Sequence, residues 1–129
     1  MTAPEPRDLA LQTLYQLDRT GAAGPMEGLP PKARRLVQGV MARTAELDAS
    51  IESASEHWSV ERMPVIDRAI LRLGLYELRH EQETPAAVVV NEAVRLAKTY
   101  STSRSGSFVN GVLAALADIE RPAQTGGEE

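Results

Sequence analysis

Cysteine is absent from the 129 residues, and histidine occurs only at His57 and His80. The first absence excludes disulfides, thiolate metal sites and cysteine nucleophiles, and the second removes histidine-rich metal sites. Aromatic residues make up 4% of the chain, with Phe108 the single phenylalanine. No apolar run approaches the ~18 residues that a bilayer span needs, and the opening residues lack the basic-then-apolar order of a secretory signal. The expectation is a soluble, cytoplasmic protein with no membrane partner. Glycines form neither a GxxxxGK[ST] nor a GxGxxG loop, and the acids show no EF-hand or paired-carboxylate spacing. Both histidines sit near helix ends among glutamates rather than beside a nucleophile. A non-enzyme without metal or cofactor is therefore expected.

Positive charge is also scarce: 14 Lys and Arg face 18 Asp and Glu, for a net charge of −4. In bulk this disfavours an affinity built mainly on phosphate neutralisation. The distribution is uneven, however. Lys32, Arg34, Arg35 and Arg43 occupy an acid-free stretch, whereas Glu46, Asp48, Glu52, Glu56 and Glu61 occupy a base-free one. From residue 93 to 117 the only charges are Arg95, Lys98 and Arg104. A local basic surface is compatible with the acidic total.

What is abundant is helical spacing of apolar residues in a chain of ordinary globular composition, 43% hydrophobic and 25% charged. Ala10, Leu11, Leu14 and Leu17 predict a first helix over about 5–19, stopped by Gly21, and a Gly- and Pro-rich loop follows over 20–31. From Pro31 to Ala54 one stripe of Ala33, Leu36, Val37, Val40, Met41, Thr44, Leu47 and Ile51 predicts a single long helix of about 35 Å at 1.5 Å per residue. Its bases lead and its acids trail, opposite to the preference of the helix dipole. This leaves two explanations open, solvation of separate faces or a partner's charge.

After Pro64, residues 65–79 are apolar on most sides and predict a central helix, with Arg68, Arg72 and Arg79 on one narrow polar stripe. Thr84 followed by Pro85 reads as a capped helix start. The run Val88 to Val90 alone would suit a strand, but the stripe continuing through Ala93, Leu96, Ala97 and Tyr100 decides for helix. Residues 101–106 read as a serine-rich turn, and a last helix carries Phe108, Val109, Val112, Leu113, Leu116 and Ile119 inward until Pro122. The expected fold is all-α with five main helices and no sheet. Residues 1–63 form an amino-terminal helical group, 64–122 a carboxy-terminal group, and 123–129 a loose tail.

Three segments are distinctive beyond periodicity: Asp67 to Leu78 (DRAILRLGLYEL), Val90 to Lys98 (VNEAVRLAK) and Phe108 to Leu113 (FVNGVL). Together with Leu11 to Tyr15 (LQTLY), their order and spacing resemble the NusB family of bacterial transcription antitermination factors over about residues 7–122. The resemblance implies two packed helical bundles. It also implies binding of boxA RNA together with NusE, a small-subunit ribosomal protein. That complex is delivered to RNA polymerase for read-through, notably on ribosomal RNA operons. NusB-like domains also occur fused to ribosomal RNA cytosine methyltransferases, but no methyl-donor domain is present here, so a free-standing factor is the better match.

On this resemblance, Arg7, Tyr15, Arg72, Lys98, Arg104, Phe108 and Asn110 are candidates for RNA. Tyr15 lies just off the inner stripe, where a ring serves either to stack on a base or to pack on the bundle. For Phe108, core packing and an RNA-facing role are both open; for Asn110, a base edge or a local capping role. Arg72, Lys98 and Arg104 are candidates for salt-dependent phosphate contacts, and Arg104 is favoured by the helix start beside it. Asn91 and Glu92 fit polar contacts to the preceding helix. For NusE, the resemblance points to Glu61, Asp67 and Tyr76, with acids facing a basic protein; for Asp67, an ordinary helix-start acid is the other reading. Two departures remove positive charge: a lone Arg7 where the family often has an arginine-rich arm, and Ser107 where lysine is common. The expectation is weak binding of RNA alone and unusual dependence on the partner. A helical protein-interaction module or homodimer with weak or lost RNA binding is the alternative.

Overall fold

Helices follow wherever the apolar spacing is helical. The computed structural model describes residues 5–22 and 26–125, and among them there is no strand. Helix α1 runs Pro6–Thr20 and ends where Gly21, at φ 79°, donates its N–H to the Leu17 carbonyl. That left-handed cap is the conformation a glycine adopts without a side-chain penalty.

The predicted long helix is two helices, α2 (Pro31–Ala42) and α3 (Thr44–Ala54). The break falls at Arg43, whose φ of −128° is not helical and whose N–H reaches back only to Val40. The Thr44 hydroxyl donates to the same Val40 carbonyl at 2.9 Å, a local competitor for the helical ladder. The break rotates the stripe: Leu47 and Ile51 are buried in α3, while Met41 is 42% exposed. It also removes part of the expected charge conflict, because Glu46 now lies in the first turn of its own helix.

A 3₁₀ turn at Val60–Arg62 leads into α4 (Val65–His80), then α5 (Ala86–Tyr100), α6 (Ser103–Glu120) and a short α7 (Pro122–Thr125). Helix α4 packs against α1, α2, α3, α5 and α6, as its nearly all-round apolar surface requires. Leu36, Ile51, Ile70, Leu71, Leu96 and Leu113 are among the fully buried side chains of one continuous core. At Gly74 a Cβ would sit 2.7 Å from Leu113 Cδ1, so glycine permits the close approach of α4 and α6.

Four further expectations are corrected. Thr84 makes no capping bond; Pro85 is the N-cap of α5. Helix α6 begins within the expected serine-rich turn, because the Thr102 hydroxyl accepts the Ser105 N–H at 3.0 Å. Ile119 is 69% exposed rather than inward. The expected tail is structured as far as Thr125: Gln124 Oε1 accepts the Ala86 N–H at 2.8 Å, and residues 126–129 lie outside the described residues. Buried Arg121 holds this end, donating to the carbonyls of Leu78, Thr84 and Glu81 at 2.8–3.2 Å. A guanidinium suits the orphan carbonyls at a helix end.

Candidate nucleic-acid interface

The start of α6 and the turn before the 3₁₀ segment together build a cavity of ≈ 530 Å³. Trp58, Pro64, Asp67, Ser101, Thr102, Arg104, Ser105 and Phe108 line it. Phe108 lies nearly two turns past the Thr102 cap and is half-buried. Its ring meets Trp58 edge-on, with centroids 5.4 Å apart at 75°. Trp58 is 49% exposed. The turn that presents it puts two non-glycine residues at positive φ, Glu56 at 59° and His57 at 68°. Ser55 and Glu52 brace this turn: the Ser55 hydroxyl donates to the Trp58 carbonyl, and Glu52 Oε2 accepts the Val60 N–H at 2.8 Å. Left-handed backbone at such residues is costly and is retained only where neighbours enforce it.

Arg104 is exposed and has no ion-pair partner among the described residues. The stem of Lys98 crosses Gly106, where an added Cβ would come within 3.1 Å of Lys98 Cγ. Two cations thus stand at the amino-terminal end of α6, where the backbone N–H groups already favour an anion. Asn110 is exposed farther along α6 and Tyr15 is half-buried on α1 under Arg19, 5.5 Å from its ring. Neither lines the cavity.

The remaining cations expected to meet RNA are engaged inside the fold. Arg7 makes a two-pronged ion pair at 2.8 Å with Glu77, itself 1% exposed. Arg72 pairs with Asp48 at 2.7 and 2.9 Å and lies 3.6 Å from Asp18. Its companions on the α4 stripe follow suit, Arg68 with Asp18 and Arg79 with Glu120 and Ser50. The segregated charges of α2 and α3 find internal partners as well: Arg35 binds Glu81, and Arg34 binds carbonyls of residues 26, 27 and 29. A second network joins α1 to α5, with Asp8 accepting from Arg95 and from the Tyr100 hydroxyl at 2.8 Å each. The Arg95 hydrogen bond holds the Asp8 carboxyl below its ordinary range, against the opposing effect of burial. Arg68 does the same to Asp18, and Arg35 to Glu81.

Two residues expected to face a protein partner are buried. Tyr76 is 6% exposed, stacked near His80 with Arg43 over its ring, and it fills the space that Gly39 leaves open. Asp67 is 3% exposed; its Oδ2 accepts the Ser105 hydroxyl at 2.9 Å. Helix-start acids read as surface charges, and nothing in the sequence announced the Ser105 partner. Glu61 is exposed, at the rim of a ≈ 290 Å³ groove lined by Leu14, Leu17, Met41 and Arg68. Sequence reasoning missed Trp58 altogether. The available signal was a lone indole in an aromatic-poor chain, just before the Pro64 break.

Among the described residues no helix is long and apolar enough to cross a membrane, and no group of three or more His, Asp or Glu is placed to hold a metal. The NusB family model matches residues 4–118. The transcription antitermination protein NusB of Lysinibacillus sphaericus is 42% identical over 127 residues, covering 93% of this chain and all of that one. Among solved structures, T. maritima NusB superposes with a TM-score of 0.82 at 32% identity, covering 98% and 99% of the two chains. A structure of the antitermination factors NusB and NusE in complex with dsRNA matches with a TM-score of 0.76 at 28% identity, covering 88% and 94%.

Proposed function

This chain belongs to the NusB family, and from that membership we propose that it is a non-enzymatic, cytoplasmic antitermination factor. It binds boxA RNA together with NusE and joins the complex on elongating RNA polymerase that promotes read-through, notably on ribosomal RNA operons. The observation that carries the RNA-binding assignment is the corner at the FVNGVL motif. There Phe108 and Trp58 offer ring faces, and Arg104, Lys98 and the start of α6 offer positive potential. Single strands are read in this way, by bases on rings with phosphates on cations and helix starts. Asn110, exposed two residues past Phe108 in the same helix, adds an amide for a base edge or the backbone. Glu61 and exposed Met41, on the groove between α1, α2 and α4, form the surface offered to the ribosomal protein.

With Arg7 and Arg72 committed internally, few free cations remain, so the chain alone binds RNA weakly and the partner complex binds it well. Gel shifts with boxA and scrambled RNA, with and without NusE, test this. The expected result is a sequence-dependent shift with the complex, strongly reduced by Phe108→Ala/Asn110→Ala in a protein whose circular dichroism is unchanged. The same scarcity of cations favours the second reading, a protein-interaction module that has lost RNA binding. That reading predicts an unaltered NusE complex that ignores boxA RNA.

A further inference from the structure

Asp67 is the one acid lining the corner, and the RNA-binding reading leaves its chemistry unused. Its Oδ1 is buried and accepts no hydrogen bond, the only such side-chain atom among the described residues. An unpaired buried oxygen loses its hydration without a replacement partner, a larger loss when it is charged, so its persistence calls for a cause. The neighbouring groups fix the carboxylate rather than satisfy it. Ser105 donates to Oδ2 at 2.9 Å, and the Thr102 and Ser101 hydroxyls lie 3.1 and 2.9 Å from Ser105 Oγ. One oxygen is thereby held, and the other is left without a partner on a residue that lines the Trp58–Phe108 cavity.

Resting on the RNA-binding reading, we propose that Asp67 determines base specificity: Oδ1 accepts an N–H from the Watson–Crick edge of one unstacked RNA base seated against Trp58 and Phe108. The occupant is an amino-bearing base, guanine first. Guanine offers two adjacent donors to a carboxylate, cytosine and adenine offer one amino group, and uracil flanks its single N–H with two carbonyls that the carboxylate repels. A lysine or arginine from a protein partner would also suit a carboxylate. Arg104 and the positive end of α6 oppose a cation there, however, and the two ring walls fit a flat base carrying an anionic backbone. Because Oδ1 is closed to solvent, seating a donor on it requires the lining side chains to shift. Half-exposed Trp58, on its own braced turn, reports that shift.

The test uses the intrinsic fluorescence of Trp58, the only tryptophan. The full chain is titrated with the RNA pentamers UUGUU, UUCUU and UUUUU at low salt. The expected result is a change in Trp58 emission with roughly tenfold tighter binding of UUGUU than UUUUU. Asp67→Asn keeps the shape and the Ser105 bond but replaces the unpaired acceptor with a donor, so it should abolish or invert that preference. A purely structural Asp67 would leave the preference intact, and its substitution would lower only thermal stability. Equal affinities for all three pentamers, or a preference unchanged in Asp67→Asn, would overturn the proposal while leaving RNA binding by the NusE complex standing. Failure of every pentamer to alter Trp58 emission would overturn it as well. So would an Asp67-dependent Trp58 response to NusE without RNA, which would give the cavity to the protein partner. Loss of the boxA shift by the complex is the separate result that removes the underlying reading.

Discussion

Arg72 and Arg104 carry the same guanidinium and are both candidates for phosphate contacts, yet the fold uses them in opposite ways. Arg72 is gripped by Asp48 and approached by Asp18 on the seam of α1, α3 and α4. Arg104 stands exposed at the start of α6, lining the same cavity as two aromatic rings, with no acid paired to it among the described residues. The seam region resembles a clamp: Arg7–Glu77, Arg68–Asp18, Arg72–Asp48 and Arg79–Glu120 each join different helices. Among the described residues, the corner region keeps its cations free of ion pairs and one carboxylate oxygen without a partner. Charge that is matched within the fold contributes to stability and specificity of packing, whereas charge left unmatched is available to a ligand.

Breaking the clamp at its most buried point should have the largest effect. Glu77→Ala leaves Arg7 partnered only by longer contacts such as Glu92 at 3.9 Å, and should destabilise the protein by about 3–5 kcal/mol in chemical denaturation. Arg72→Ala removes charge-assisted bonds from less buried acids and should cost about 1.5–3 kcal/mol, with RNA binding by the folded protein unchanged. If Arg72→Ala instead weakened RNA binding without loss of stability, the division between the two regions would fail.

Paired acids, Asp18 in the clamp and Asp8 and Glu81 outside it, also set a pH response. Asp8, Asp18 and Glu81 titrate below their ordinary values of 3.8, 3.8 and 4.5 when folded. Their contributions are fully present above those values and are lost as pH falls through the lower, folded ones. Thermal melts should therefore decline from about pH 4 downward and change little from these groups between pH 5 and 8. A melting temperature flat down to pH 2 would show that these pairs contribute nothing.

The clamp was hard to read in the sequence, and the reason is physical. Periodicity reports which face of a helix is apolar, so α4, α5 and the core leucines were legible, and the Val88–Val90 run was correctly helical. It does not report which acid lies opposite an arginine 24 or 70 residues away, as with Arg72–Asp48 and Arg7–Glu77. The break at Arg43 carries no Gly or Pro to announce it; a threonine hydroxyl and backbone geometry accomplish it. The corner was half legible. Phe108 and Arg104 followed from motif and helix start, while Trp58 and the buried state of Asp67 depend on a turn with two left-handed residues and on Ser105, which only tertiary structure brings into place.

The smallest change in stability should come from the most informative substitution. Arg104→Ala removes no internal bond and should leave the melting temperature unaltered. The decisive measurement is the salt dependence of boxA RNA binding by the NusE complex, compared for wild type, Arg104→Ala and Arg72→Ala. The slope of log K against log salt should fall by about one unit for Arg104→Ala and not at all for Arg72→Ala. Equal slopes for wild type and Arg104→Ala, or a reduced slope for Arg72→Ala, would contradict the assignment of the α6 corner as the RNA-facing region and the α4 seam as the internal clamp.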